Sequence, residues 1–276
     1  MTPTVADRGA ISPAVARRRV ARQLRTMREQ ARLTLDDAAP LLDLTRSALH
    51  RAESGGSQVS VHLVRSMMDL YDLYSPELLD TVRAARRRGW WHGYRITDLD
   101  YVAWEAGAAH VQEFAVIRVP ELLQTEDYAR VLRLGGAEDV GAELMARRIR
   151  QGRLNGDGAS LAVSVVLDEA ALRNQVGDLA VMRAQLGHLV ACSAWAGVSL
   201  RVLPAAAGAQ MRAAGFRLLD FDHPDDLPVV FLESAVGVLR EEDAERVAVV
   251  QRVFGSISAA ALSVEESRTF IEQQAR

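Results

Sequence analysis

From Ala16 to about Leu73 apolar residues recur at intervals of three and four, in short stretches broken by polar turns. That spacing keeps one face of a helix apolar, so the region predicts a string of short helices. In the first, Val20, Leu24 and Met27 form the stripe, while Arg17, Arg18, Arg22, Arg25 and Arg28 occupy the other faces. Thr34 before Leu35-Asp36-Asp37 is an N-cap followed by acids in the first turn, and its helix runs to about Leu42. Pro40 lacks an N–H and should shorten or kink that helix. Asp43-Leu44 is a break, Thr45 caps a helix to about Glu53, and Ser54-Gly55-Gly56-Ser57 reads as a loop. Ser60 caps the next helix, which carries Leu63, Met67, Leu70 and Tyr71. After Ser75-Pro76 a further helix with Leu78, Leu79 and Val82 ends in Arg86-Arg87-Arg88-Gly89.

Past a cluster of Trp90, Trp91 and Tyr94 the period changes. Alternation at Ala162–Leu167, Val198–Leu203, Phe216–Phe221 and Val229–Glu233 predicts strands, separated by loops rich in Gly, Pro and Asp. The clearest helix between them runs from Asp178 to about Trp195, with Leu179, Met182, Leu186, Leu189 and Val190 as its apolar stripe. Two helices close the chain, and Ser263-Val264-Glu265-Glu266 opens the last as a capping box. The expected organisation is a flexible leader at 1–15, a helix-turn-helix domain at 16–75, a helical connector at 76–95 and a regulatory or interaction domain at 96–276. The fold class is therefore multidomain: an all-α module, then a mixed α+β domain whose sheet is mainly antiparallel.

Composition narrows the function. With 276 residues, 49% apolar and 25% charged, the chain can bury real cores. No run of about 18 apolar residues exists, and the N-terminus lacks the apolar segment of a secretory signal, so a cytoplasmic protein with no membrane contact is expected. A single cysteine, Cys192, leaves no disulfide framework and no Cys-rich zinc site. All 33 basic residues are arginine, and asparagine occurs only at Asn155 and Asn174, a codon signature of a G+C-rich genome. The net charge of −3 hides a split. Residues 1–95 hold 16 Arg against 10 Asp and Glu, a net +6, while residues 96–276 hold 17 against 26, a net −9. A basic end on an acidic body points to a polyanion as partner for the first part only.

Two short helices joined by a tight turn, behind a basic helix, describe a helix-turn-helix. A recognition helix must present polar side chains to the major groove and turn apolar ones inward. In the helix after Thr45, Arg46, Ser47, His50 and Arg51 project outward, while Leu44, Leu49 and Ala52 face the core. Arginine there can pair bidentately with guanine. The helix starts at Thr34 and Thr45, and the Gly55-Gly56 loop, offer backbone N–H groups to phosphates.

Residues 20–73 resemble the XRE (phage-repressor-like) helix-turn-helix. Met27-Arg28-Glu29-Gln30-Ala31-Arg32-Leu33-Thr34 matches its first helix and turn, and the stretch from Thr45 to Gly55 matches its recognition helix. The resemblance implies a structural pair between Arg28 and Glu53, and base reading by Arg46, Ser47 and Arg51. Leu35 stands where the family carries a phosphate-binding glutamine, and Asp43 where it carries a glycine. The remainder resembles a domain of unknown function in actinobacterial WhiJ-like, antitoxin-like regulators. That likeness rests on Gly89-Trp90-Trp91, on Val119-Pro120-Glu121-Leu122-Leu123-Gln124-Thr125-Glu126-Asp127-Tyr128-Ala129, on Arg147 to Leu154 and on Leu167 to Arg173. Glu121 replaces that family's usual glycine. The resemblance implies a regulator encoded beside a small companion protein.

The second part offers little catalytic chemistry. Thr125 reads as an N-cap, Trp90, Trp91 and Tyr94 as a core or interdomain cluster, and Cys192 as a small buried hydrophobe. His110 and Glu113 lie three apart on what reads as a helix and could share a metal there, but an ordinary solvated pair is the plainer reading. Asp222-His223-Pro224-Asp225-Asp226 has the composition of a turn. Phosphate-loop, dinucleotide, zinc-protease and nucleophile-elbow motifs are all missing from the sequence. The expectation is a non-enzymatic transcriptional regulator that binds double-stranded DNA as a homodimer, without cofactor or metal. One alternative is an antitoxin-like binder of a small companion protein whose DNA binding is autoregulatory. Another is a regulator whose C-terminal domain senses a small-molecule effector.

Overall fold

The computed structural model describes residues 11–94, 96, 98–132, 140–155, 160–207, 214–234 and 237–275. The chain divides into two compact units, Met1–His92 and Gly93–Arg276. The first ten residues of the expected leader lie outside the described residues. Its last three are helical: Ser12 accepts from the Ala14 N–H, and α1 starts at Pro13 and runs to Gln30. The apolar Val15, Ala16, Val20, Ala21, Leu24 and Met27 extend the stripe one turn earlier than the polar leader suggested, and all are buried.

Among the described residues four more α-helices follow in the first unit: α2 (Leu35–Leu41), α3 (Arg46–Glu53), α4 (Val61–Tyr71) and α5 (Pro76–Ala85). Thr34, Thr45, Ser60 and Ser75 each accept a first-turn N–H, and Thr34 forms a full capping box with Asp37. Pro40 lies in the last turn of α2, which ends one residue later. α1 packs along α5 and against α3 and α4, closing a core of residues that include Leu24, Leu49, Val64, Met67 and Leu78.

Three helices end by the same device. Arg32 (φ 58°), Asp43 (φ 53°) and Asp72 (φ 52°) adopt the left-handed conformation just past α1, α2 and α4. The next residue is each time a leucine. The N–H groups of Leu33, Leu44 and Leu73 donate back to the carbonyls of Arg28, Ala39 and Met68 at 3.2, 2.9 and 3.1 Å. All three leucine side chains pack on the core. A left-handed non-glycine residue costs about 1–2 kcal/mol, and the returned hydrogen bond with leucine docking offsets it. After α5, a short turn spans Trp90–Gly93. A Cβ on Gly89 would stand 2.2 Å from the ring of the buried Trp91, so this approach requires glycine.

The second unit is α+β. α6 (Leu99–Glu105) leads into β1 (His110–Ala115); α7 (Glu126–Leu132) and α8 (Val140–Gln151) cross to β2 (Ala162–Asp168). α9 (Glu169–Arg173) and α10 (Leu179–Cys192) cross to β3 (Val198–Leu203). A meander of β4 (Phe216–Asp220), β5 (Val229–Ser234) and β6 (Gly237–Glu241) follows, then α11 (Ala244–Ala260) and α12 (Val264–Gln274). The sheet order is β3-β2-β1-β4-β5-β6. β1 pairs parallel with β2 and β2 with β3, while β1/β4, β4/β5 and β5/β6 are antiparallel, which makes the mixed sheet mainly antiparallel. One face packs Phe114, Phe216, Leu218 and Val230 against Val247, Phe254 and Ile257 of α11. The outer edge of β3 is covered: Val202 donates to Ser267 Oγ at 2.9 Å and accepts from Leu262 N–H at 2.9 Å. That protects an otherwise open row of backbone groups.

His110 and Glu113 lie on β1, not on a helix. Residues three apart on a strand point to opposite faces, so these two cannot share a metal. Strand β6 had no sequence expectation. In α10, Leu179 is 63% exposed and Val190 half-buried, while Gln185 is fully buried among Met182, Leu186 and Leu189. Thr125 does cap α7, accepting from Tyr128 N–H at 3.3 Å. Cys192 is buried, its Sγ 3.3 Å from His188 Nε2, and burial pushes the thiol up to about 12. Among the described residues no three His, Cys, Asp or Glu side chains are grouped to hold a metal, and His223 to Asp226 forms a turn. No single described helix is long and apolar enough to cross a membrane.

Candidate nucleic-acid interface and a buried charge cluster

α3 has two faces of different chemistry. Leu49, Ala52 and Glu53 are buried against α1 and α2, whereas Thr45, Arg46, Ser47, His50 and Arg51 are exposed. The helix thus presents one contiguous polar face beginning at its N-terminus. The hydroxyls of Thr34 and Thr45 are already engaged as caps, accepting from Asp37 N–H at 3.2 Å and Ala48 N–H at 3.1 Å. What these positions still offer a phosphate is backbone N–H, because the first turn of a helix has no carbonyl behind it. Gly55 adopts φ +74° in the loop after α3, and Gly56 beside it is exposed. Arg46 Nε lies 3.3 Å from a carboxylate oxygen of Asp36 on α2, with both side chains largely exposed. Such a surface pair is weak, about 0–1 kcal/mol, and holds the guanidinium at the front of the face.

Behind this face Arg28 and Glu53 are brought together. Arg28 Nε donates to Glu53 Oε1 at 2.8 Å and Nη2 donates to Oε2 at 2.8 Å, a bidentate pair in which both residues are buried. Arg28 Nη1 donates to the Leu33 carbonyl at 2.7 Å. One guanidinium therefore fastens α1, the turn leading into α2 and the last residue of α3. The hydrogen bonds to Glu53 raise the Arg28 pKa although burial opposes them. Tyr71 Oη is buried nearby with no hydrogen-bond partner among the described residues, and burial, then the Glu53 charge, push it up to about 12.

The second unit buries charge on a larger scale, a feature the sequence reading missed. Arg150 of α8 forms a bidentate pair with Glu105 at 2.8 and 2.6 Å and reaches Glu121 at 2.8 Å. Burial alone would lower the Arg150 pKa, but Glu105 and Glu121 outweigh it. Arg217 of β4 lies 4.2 Å from the centre of the buried Tyr101 ring, donates to Glu233 at 2.7 Å and stands 3.8 Å from Glu113. Arg153 donates to the carbonyls of Glu105 and Ala108, both at 2.6 Å. Burial would raise Glu121, yet Arg150, Arg217 and Arg147 together hold its carboxyl below the usual range. Glu113 goes the other way: burial pushes it up to about 7, against the pull of Arg217. The available signal was charge at apolar positions, with Arg147 and Arg150 three apart on a face shared with Leu144 and Ala146.

Glutamines hold the adjoining turn at Glu121–Leu123. Gln185 Nε2 donates to the Leu123 carbonyl at 2.7 Å and its Oε1 accepts from Thr125 N–H at 2.8 Å. Gln151 donates to the Gln124 carbonyl at 2.8 Å, and Arg147 donates to the Gln124 side chain. Glu121 is not among the left-handed residues, so this turn does not require glycine at that position.

The family described as a domain of unknown function (DUF5753) matches residues 99–273. A helix-turn-helix domain matches residues 19–82. No curated protein and no solved structure matches the chain.

Two outcomes follow from these charges. Glu53→Ala leaves Arg28 buried without its carboxylate, and breaking such a pair costs about 3–5 kcal/mol. The Tm of the helical unit should fall, and an Arg28→Met, Glu53→Met double variant should regain much of it. Calorimetry checks both, and a Glu53→Ala curve matching the parent's contradicts the role of the pair. For Glu113 the folded state keeps a proton up to about 7, whereas the ordinary value is 4.5. Its contribution to stability is fully present below the lower value and is lost as pH rises through the higher one. Glu113→Gln, neutral at every pH, should therefore gain Tm relative to the parent between about pH 5 and about pH 8. A difference that stays constant across that range contradicts the raised value.

Proposed function

Since the chain belongs to the DUF5753 family and carries a helix-turn-helix domain ahead of that family's domain, we propose that it is a sequence-specific transcriptional regulator that reads duplex DNA with α3. The observation that carries this reading is the exposed row Arg46, Ser47, His50 and Arg51 on a helix locked from behind by Glu53. Arg46 and Arg51 reach guanine edges in the major groove, with Ser47 and His50 as shorter polar contacts. The N–H groups following Thr34 and Thr45, and those at Gly55 and Gly56, meet phosphates. On binding, Arg46 exchanges Asp36 for a base.

The +6 charge of residues 1–95 supports the choice of DNA as partner, and the −9 of residues 96–276 assigns the second domain another task. A lone helix-turn-helix touches few bases, so the reading includes a homodimer on a two-fold site. The XRE-like and WhiJ-like resemblances support a regulator of that type, working at the nucleoid, whose second domain is regulatory and not enzymatic. A companion protein bound at that domain, with DNA binding autoregulatory, is the second reading. The acidic surplus of residues 96–276 favours a basic companion.

Arg46→Ala and Arg51→Ala should each weaken binding to the preferred site by about 1–3 kcal/mol and blur one base position. Selection from random duplex DNA supplies the site and the test, and a double variant that selects the same sequence contradicts the assignment. Light scattering of the full chain should give twice the mass of 30.2 kDa, and binding should weaken steeply with added salt. A monomer on DNA overturns the dimeric reading, and salt-independent binding overturns the phosphate contacts.

A further inference from the structure

The second unit contains a cavity of about 250 Å³ whose wall includes Asp98, Arg118, Glu121, Arg147, Arg150 and Arg217. It lies below the roughly 300–1,000 Å³ of drug-sized sites, so its scale suits a small metabolite. The wall carries both signs of charge, and most of it is occupied with itself. Arg150 is held by Glu105 and Glu121, and Arg217 by Glu233. Asp98 and Arg118 have capacity to spare. Asp98 uses Oδ1 to cap α6, accepting from Tyr101 N–H at 3.1 Å. Its Oδ2 is buried with no hydrogen-bond partner among the described residues. Arg118, between β1 and the turn at Glu121, comes no closer than 3.7 Å to Glu233 and keeps about half its side chain exposed. Ile96, Val102, Ala146 and Val238 give the same cavity an apolar side.

The ligand class follows from what each wall rejects. An inorganic anion would satisfy guanidinium groups but leave Asp98 Oδ2 unpaired and face the carboxylates of Glu121 and Glu143. A simple amine would satisfy Asp98 but sit among four arginines. A molecule with an anionic end, a donor-rich cationic end and a short apolar portion satisfies all three surfaces. We propose that this cavity is a binding site for a free amino acid with a small aliphatic side chain, its carboxylate held by Arg118 and its ammonium by Asp98. This goes beyond the reading of α3 and does not depend on it, because the site lies wholly in the second unit.

The test uses the full chain without DNA, so its outcome is separate from that of the DNA-binding reading. Each standard L-amino acid is added in turn while thermal unfolding is followed, with inorganic phosphate, acetate and methylamine as controls. At saturating concentration a small aliphatic amino acid should raise Tm by about 2–4 °C, and the controls should not. Asp98→Asn keeps the helix cap, because asparagine caps as well as aspartate. Arg118→Gln alters a half-exposed side chain, so this variant keeps the test usable should the first fail to fold. By calorimetric titration each should weaken binding at least ~10-fold. No shift with any amino acid, an equal shift with phosphate or methylamine alone, or unchanged affinity in a folded variant each overturns the proposal.

Discussion

The first unit depends on one buried guanidinium. Arg28 bonds Glu53 through two nitrogens and the Leu33 carbonyl through the third. A helix of eight residues such as α3 is too short to be stable by propensity, so its position must come from what it packs on. Leu49 and Ala52 bury its inner face, but apolar contact alone tolerates sliding. The bidentate pair has a fixed plane and direction, which sets the rotation of α3 about its axis. Rotation decides which side chains stand outside, so the polar row from Arg46 to Arg51 is a consequence of a contact on the opposite face.

The left-handed exits serve the same end. A turn through Arg32, Asp43 or Asp72 reverses the chain in few residues and returns a leucine to the core each time. The bond from Arg28 to the Leu33 carbonyl ties the first of these turns to the ion pair. The α2–α3 angle is therefore fixed by backbone geometry at Asp43 and by side-chain geometry at Arg28. Aspartate enters the left-handed region more readily than most residues, because its short side chain bonds locally.

The second unit solves a different problem with similar parts. Its sheet buries Glu113 and Arg217 on neighbouring central strands, paired in register. Charges at such depth persist only with partners, and Arg217 has them in Glu113, in Glu233 of β5 and in the Tyr101 ring of α6. Tyr101 lies beneath two guanidinium groups, 4.2 Å from Arg217 and 5.6 Å from Arg150. These contacts fasten α6 and α8 to the middle of the sheet. They also leave a polar cavity where the pairing of charges is incomplete. Opposite environments for Glu113 and Glu121, one pushed up to about 7 and one held below the usual carboxylate range, arise from burial winning at the first and arginine winning at the second.

The sequence by itself determined what is written within a turn or two of chain. Thr34, Thr45, Ser60, Ser75, Asp178 and Ser263 all cap the helices their side chains advertise, because capping is a contact over three residues. Strands β2 to β5 were legible from alternation and flanking turns, and the inward turn of Leu49 and Ala52 from helical spacing. Strand β1 was not, because a central strand covered on both faces loses its alternation, and Glu113 interrupts what remains. The partners of Arg150 lie 45 and 29 residues away, and Arg217 is 16 from Glu233. Such separations leave no period in the chain. Which charges are buried, and which are then left facing a cavity, was decided only when the sheet and its crossing helices closed around them.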